Sequence, residues 1–442
     1  MTKRSDALFP GCVHLQRRQI LALPWAAVVG SSAWAQSKQA PATPGGGRFV
    51  LVFLRGAMDG LSAFVPYADP AYYAMRPGIA IAPPDGTDAA TIALDKQFGL
   101  HPALAPLQPL WQQGVMAFVP AAGLPAPNRS HFDAQHAWET GQPAAHTTNG
   151  GWLNAWAQAA GRGTDRAIGV GESSPEILRG PAVVTLVPQG KAALRAGATA
   201  APNMRGALQD LYAGDPQLGA AFAQGARSRS ATAEQLSEAD MAASPGTPGT
   251  LSAEMQAANN GAGSVQGLAL DAQHLATLMN GNPQLQIGFL SAGGWDTHAG
   301  QGAAKGGLAN SLGRLAQALV ALRRGFSRPG DVVVVVSEFG RTSAENGTGG
   351  TDHGWGNAML LIGERVNGGR WHGRWEGLAQ DRLNERRDLP AFHDYRAVLS
   401  LVLRSTQGVS DAQLNAIFPG SPYTGSALLS GDNRHLAHLM RT

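Results

Sequence analysis

The sequence predicts an α/β fold with a mainly parallel central sheet, and three observations carry that expectation. Residues 332–336 are five consecutive valines, a run too short and too β-branched for a helix, which suits a strand buried on both faces of a parallel sheet. A strand pattern at residues 285–290 is followed by Leu308, Leu312, Leu315, Leu319 and Leu322 at spacings of four and three. This leads into the valine run as a β-loop-α-β unit with a right-handed crossover. Polar residues also arrive abruptly at strand C-termini, the edge where ligands collect in open α/β sheets. At 442 residues and 44% hydrophobic content, the chain is long enough for one large domain or two smaller ones.

The N-terminus reads as a targeting segment. Lys3, Arg4, Arg17 and Arg18 precede an apolar run over residues 20–30, and Ala33-Trp34-Ala35 supplies a small-residue cleavage site. The adjacent Arg17 and Arg18 suggest a twin-arginine signal over residues 1–35, hence export to the periplasm through the twin-arginine machinery. Cleavage after Ala35 takes four of the 34 Lys and Arg and one of the 31 Asp and Glu, leaving 30 of each. A neutral mature chain gives no electrostatic reason to expect nucleic-acid binding. The one cysteine, Cys12, leaves with the signal, so the mature chain has no disulfide and no thiolate ligand. No later apolar stretch is long enough for a stable membrane span.

After a Pro/Gly linker (residues 36–47), residues 49–54 (FVLVFL) read as the first core strand, and Arg55-Gly56-Ala57-Met58-Asp59-Gly60 follows it. Residues 67–109 are proline-rich and read as irregular with short helices. Residues 115–119 form a second short strand, and Ser130 heads the helical segment that starts at His131, the position of an N-cap. Residues 182–187 form another strand. Residues 198–280 read as a mostly helical insertion, with a low-complexity portion at 242–250. The strand at 285–290 opens into Gly293-Gly294-Trp295-Asp296-Thr297-His298. The valines lead to Ser337-Glu338-Phe339-Gly340-Arg341, a glycine-rich loop, and Asp352-His353-Gly354 before the apolar run at 358–362. Residues 397–403 complete the pattern as a final apolar helix. His372 and His393 fit surface positions or positions behind a site.

Three strands thus end in acidic or imidazole groups: Asp59, then Asp296 with His298, then Glu338 with Asp352 and His353 downstream. Side chains converging from separate strand ends make an oxygen and nitrogen pocket for one or two divalent ions, Zn²⁺ or Mn²⁺ ahead of Mg²⁺ or Ca²⁺. Each residue alone also has a structural reading: Asp59 as a turn residue, Asp296 as a cap, Glu338 as a salt-bridge partner of Arg341 or Arg55.

These segments also resemble a known family. From the twin-arginine signal through RGAMDG, SHFDAQ, GGWDTHAGQ, SEFGRT and TDHGWGN, the chain is similar to a large bacterial family of twin-arginine-exported proteins named only as a domain of unknown function. That family is placed in the alkaline phosphatase and sulfatase superfamily. The resemblance implies a three-layer α/β/α domain over residues 48–442, with Asp59 as the first metal ligand and Ser130, beside His131, as nucleophile. Asp296 and His298 resemble the superfamily's Asp/His pair at a shorter spacing. Two registers compete for the remainder. In the one preferred here, Glu338 replaces an Asp, Phe339 stands where a His ligand belongs, and His353 is the last His, oriented by Asp352. The implied arrangement is one ion among Asp296, His298 and His353, and a poorer site among Asp59, Glu338 and Ser130. Arg55, Arg129 or Arg341 would hold substrate oxyanions. The implied activity is hydrolysis of small or polymeric phosphate or sulfate esters; the alternative is a non-catalytic periplasmic binding or assembly protein on the same fold. Formylglycine chemistry is excluded, because the mature chain lacks cysteine and Ser173-Ser174-Pro175-Glu176-Ile177 lacks the arginine of the serine version.

Overall fold

A computed structural model describes residues 46–143, 150–160, 166–195, 197, 201–212, 214–238 and 253–441. The expected signal (residues 1–35), nearly all of the linker and the low-complexity stretch at 242–250 lie outside the described residues. The central sheet contains β1 (Phe49–Leu54), β2 (Met116–Gly123), β3 (Ala167–Gly171), β4 (Val184–Pro188), β5 (Ile287–Ala292), β6 (Val332–Ser337) and β7 (Asn357–Gly363). Across the sheet the order is Arg370–Trp371, β2, β7, β6, β1, β5, β3, β4, with His393–Asp394 also pairing on β2. Strands β4, β3, β5, β1 and β6 run parallel, whereas β7 is antiparallel to both of its neighbours.

Alternation along the strands explains the packing. Phe49, Leu51, Phe53, Val332, Val334 and Val336 face one apolar cluster, while Val50, Val52, Leu54, Val333 and Val335 face another. A strand buried on both sides cannot alternate apolar with polar residues, so five valines in a row are what this position requires. On the first face lie α1 (His131–Thr140), α2 (Trp152–Ala159), α8 (Tyr395–Gln407) and α9 (Asp411–Ile417). On the opposite face lie α6 (Leu268–Gly281) and α7 (Gly307–Gly325). The leucines 308, 312, 315, 319 and 322 of α7 are all buried there, and truncating one to alanine costs about 2–5 kcal/mol.

Two features depart from the sequence reading. Strand β3 (AIGVG) lies between β5 and β4, yet two glycines in five residues erase its signature. The stretch read as an insertion contains α3 (Pro202–Tyr212), α4 (Pro216–Glu238), α5 (Ala253–Asn259) and α6, but α6 belongs to the core through Leu275, Leu278 and Met279. No helix among the described residues is long and apolar enough to cross a membrane.

Candidate metal centre

Register sets the position of the site. Leu54 pairs with Ala292 on one side and Ser337 on the other, so β1, β5 and β6 end level. The chain leaves β1 through Gly56 (φ 112°) and Ala57 (φ 57°), both in the left-handed region. A Cβ on Gly56 would lie 2.7 Å from the Asp296 backbone nitrogen, so only glycine permits this approach. The N–H groups of Gly56 and Ala57 donate to the Glu338 carboxylate at 2.8 and 3.1 Å. They form a small cradle of consecutive backbone donors. Beyond β5, Asp296 is 6% exposed. His131 starts α1, and an antiparallel bridge between Arg341 and His353 folds the glycine-rich loop back on the rim.

Three imidazoles and one carboxylate meet there. His353 Nε2 lies 3.1 Å from His131 Nε2, 2.9 Å from His298 Nε2 and 3.2 Å from Asp296 Oδ1. His298 Nε2 is 3.1 Å from Asp296 Oδ1, and His131 Nε2 is 3.5 Å from Asp296 Oδ2. The ligand atoms of His131, Asp296 and His353 all lie within 4.8 Å of one another. Each ring's other nitrogen faces an acceptor: His131 Nδ1 meets Glu338 Oε1 at 2.7 Å, His353 Nδ1 the Arg129 carbonyl at 2.8 Å, and His298 Nδ1 Asp352 Oδ1 at 3.2 Å. With the Nδ1 hydrogens directed at these oxygens, neutral rings would turn all three Nε2 lone pairs toward one another and toward Asp296; without a cation there, a hydrogen must sit between the Nε2 atoms and the Asp296 carboxylate. Lone pairs face each other at about 3 Å only around a proton or a cation. Ligands at about 2.0–2.2 Å from one ion are themselves roughly 3.4 Å apart, which matches these separations.

The charges agree. Three carboxylates (Asp296, Glu338 and Asp352) meet one guanidinium, that of Arg341, 2.7 Å from Asp296 Oδ1. Burial opposes charge on His131, but the Asp296 and Glu338 carboxylates outweigh it, and its pKa is pushed up to about 9. Burial likewise opposes ionisation of Asp296, yet His131, His353 and Arg341 hold it well below the usual carboxylate range. Phe339 is buried with its ring 4.8 Å from that of His131 and 5.0 Å from that of His353. The residue standing where a further histidine was expected therefore wedges the two rings in place.

Several expected site residues are held by other partners. Among the described residues Asp59 and Glu338 do not join the His131, Asp296 and His353 group. Asp59 is bound by Arg76 at 2.6 and 3.1 Å and by Ser62 and Gln301 at 2.7 Å each, which saturates it. Glu338 accepts from Gly56, Ala57, His131, Gln135 and Ser337, and so it orients His131 from behind the cluster. Of the three arginines assigned to substrate, Arg55 is buried against Glu139 and Glu172, and Arg341 is buried against Asp296 and Thr351. Arg129 pairs with Glu385 and Asp388. Arg341 thus positions Asp296 with a buried guanidinium. Asp352, the expected orienter of His353, instead faces His298. Ser130 caps α1, its Oγ accepting from the Asp133 N–H at 3.4 Å. His372 bonds the Asn367 carbonyl, and His393 bonds Arg374 and Asn433, none of them in the cluster.

Sequence reasoning missed Arg76, Gln301 and Thr351, which link Asp59 to Asp296 through a buried chain. Gln301 donates to Asp59, Thr351 donates to Gln301, and Arg341 joins Thr351 to Asp296. The first of these lies in a stretch that reads as loop, where no pattern marks a buried guanidinium. A family model described as "Protein of unknown function (DUF1501)" matches residues 47–402. The chain belongs to this family. Among curated proteins, nothing matches it. His131, Asp296, His298 and His353 all lie inside the matched segment.

Proposed function

We propose that this chain is an exported, metal-dependent hydrolase of phosphate or sulfate esters, an alkaline phosphatase-like domain with Ser130 as its nucleophile. One observation carries the reading: three imidazole Nε2 atoms and the Asp296 carboxylate converge within ion-binding distance. The twin-arginine signal read in residues 1–35 supports a periplasmic location. The level strand ends with their ligands support the superfamily plan.

His131, Asp296 and His353 would hold the ion, with His298 approaching from the open side, where its side chain is 36% exposed. A bound Zn²⁺ or Mn²⁺ supplies Lewis acidity toward the ester and a lowered pKa for an oxygen nucleophile. Glu338, the Arg129 carbonyl and Asp352 fix the three tautomers, the work that such outer partners do around metal-binding histidines. Ser130 sits between Arg129, whose carbonyl meets His353, and His131, so its backbone lies on the rim of the cluster. Among the described residues its hydroxyl donates to no acceptor, which leaves its oxygen available for attack on phosphorus or sulfur. The ester oxygen departs in that step, and water releases the seryl ester in the next.

A second reading has one observation in its favour. Arg76 neutralises Asp59, leaving a single cluster among the described residues where a two-ion plan has two, as suits a non-catalytic binding or assembly protein with one structural ion. A panel of aryl phosphate monoesters and diesters and aryl sulfates, tested on the exported chain loaded with Zn²⁺ or Mn²⁺, separates the readings. Turnover that disappears in Ser130→Ala while the ion stays bound supports the hydrolase. Full turnover in that variant removes Ser130 from the mechanism, and a loaded protein inert to every ester supports the second reading.

A further inference from the structure

Beside the cluster opens a groove of about 500 Å³. One wall is apolar, formed by Ala71, Ala74, Met75 and Leu378, and the other side carries Asp352, Arg386 and Arg387. The groove touches the cluster at two points: Asp352 faces His298 Nδ1 at 3.2 Å, and Arg387 donates to the His353 carbonyl at 2.8 Å.

Arg386 differs from the other arginines nearby. Arg55, Arg76, Arg129, Arg341 and Arg387 all spend their guanidinium groups on protein partners, whereas exposed Arg386 has none for its side chain among the described residues. The acids on the groove are already engaged, Glu345 by the N–H groups of Gly78 and Ile79, and Asp352 by Asn346 and His298. Arg386 is also held in an unusual way. Glu385 and Arg386 take φ of 52° and 58° in a turn closed by the Arg387 N–H on the Asn384 carbonyl at 2.9 Å. Such left-handed pairs suit Asn and Gly, so two long side chains here are strained, and strain of this kind collects at functional sites. Glu385 has a structural task, its bond to Arg129. Arg386 has no structural task of this kind.

We infer that this groove receives the leaving-group side of the substrate, and that Arg386 reads an anionic group on it, with the apolar wall seating a short hydrocarbon link. The inference rests on the ester-hydrolase reading above. Calorimetric titration of the Zn²⁺-loaded exported chain with 6-phosphonohexanoate and with hexylphosphonate tests it, since neither compound turns over. The carboxylated compound should bind about tenfold more tightly, as a charge-assisted contact predicts. Arg386→Gln should bring it down to the hexylphosphonate level without altering hexylphosphonate itself. Arg386→Glu should transfer the preference to 6-aminohexylphosphonate. Equal affinities in the unmodified chain, or an equal loss of both in Arg386→Gln, overturn the inference while the hydrolase reading stands. Failure of both phosphonates to bind overturns the two together.

Discussion

Asp59 and Asp296 occupy matching places just past the ends of neighbouring parallel strands, yet they are partnered in opposite ways. Asp59 is 1% exposed and clamped by Arg76, with Ser62 and Gln301 taking up its remaining capacity. Asp296 has one guanidinium contact, from Arg341, and otherwise faces imidazole nitrogens. A guanidinium cannot give up its charge or leave a buried pair cheaply, so the first carboxylate is structural. An imidazole has a lone pair to offer, so the second faces groups that could share an ion with it. Identical side chains at equivalent positions thus differ by what their neighbours carry.

That contrast can be broken most strongly from the ligand side. Asp296→Asn or His353→Ala should lower ester turnover by roughly a thousandfold and release the ion, read by kinetics and metal analysis, while Asp59→Asn should leave the ion in place. Next in size, Arg76→Met leaves Asp59 charged and alone in the interior. It should cost about 3–5 kcal/mol in denaturant unfolding, and the Asp59→Asn, Arg76→Met double variant should regain much of it. Glu338→Gln alters the group behind His131 without removing a ring or carboxylate of the cluster, and metal affinity should fall by about 10- to 100-fold. The smallest effect concerns a buried imidazole outside the cluster, His274 on α6, whose two nitrogens have no hydrogen-bond partner among the described residues, the Asp271 carboxylate lying 4.0 Å from Nδ1. Burial pushes its pKa down to about 4, below the ordinary 6.5 of an unfolded chain. Its contribution is therefore complete above pH 6.5 and is lost as pH falls through the folded value. His274→Leu should remove about 1 kcal/mol of the acid destabilisation between pH 6.5 and 5.5 in thermal unfolding.

Much of the sheet was legible in the residues because burial on two faces writes itself as unbroken apolar runs. Residues 49–54 form a strand as read, the valine run extends by one residue to Ser337, and the leucine spacing of α7 is met over Gly307–Gly325. The rim was legible in part. Asp296, His298 and His353 do meet, because each follows or precedes a strand in one register. The roles of Asp59 and Glu338 were not legible, since nothing local distinguishes a carboxylate that meets Arg76 or a pair of backbone N–H groups from one that meets an ion. These partners lie 17 residues and about 280 residues away along the chain. Chemistry set by such distant contacts is decided by tertiary geometry, which periodicity does not encode.

Anomalous diffraction from crystals of the protein, grown with Zn²⁺ and collected at the zinc edge, tests the central claim most directly. The geometry predicts one strong peak about 2.0–2.2 Å from His131 Nε2, His353 Nε2 and an Asp296 oxygen. A metal-soaked crystal with no peak at that position, or with its ion beside Asp59 instead, would contradict the account.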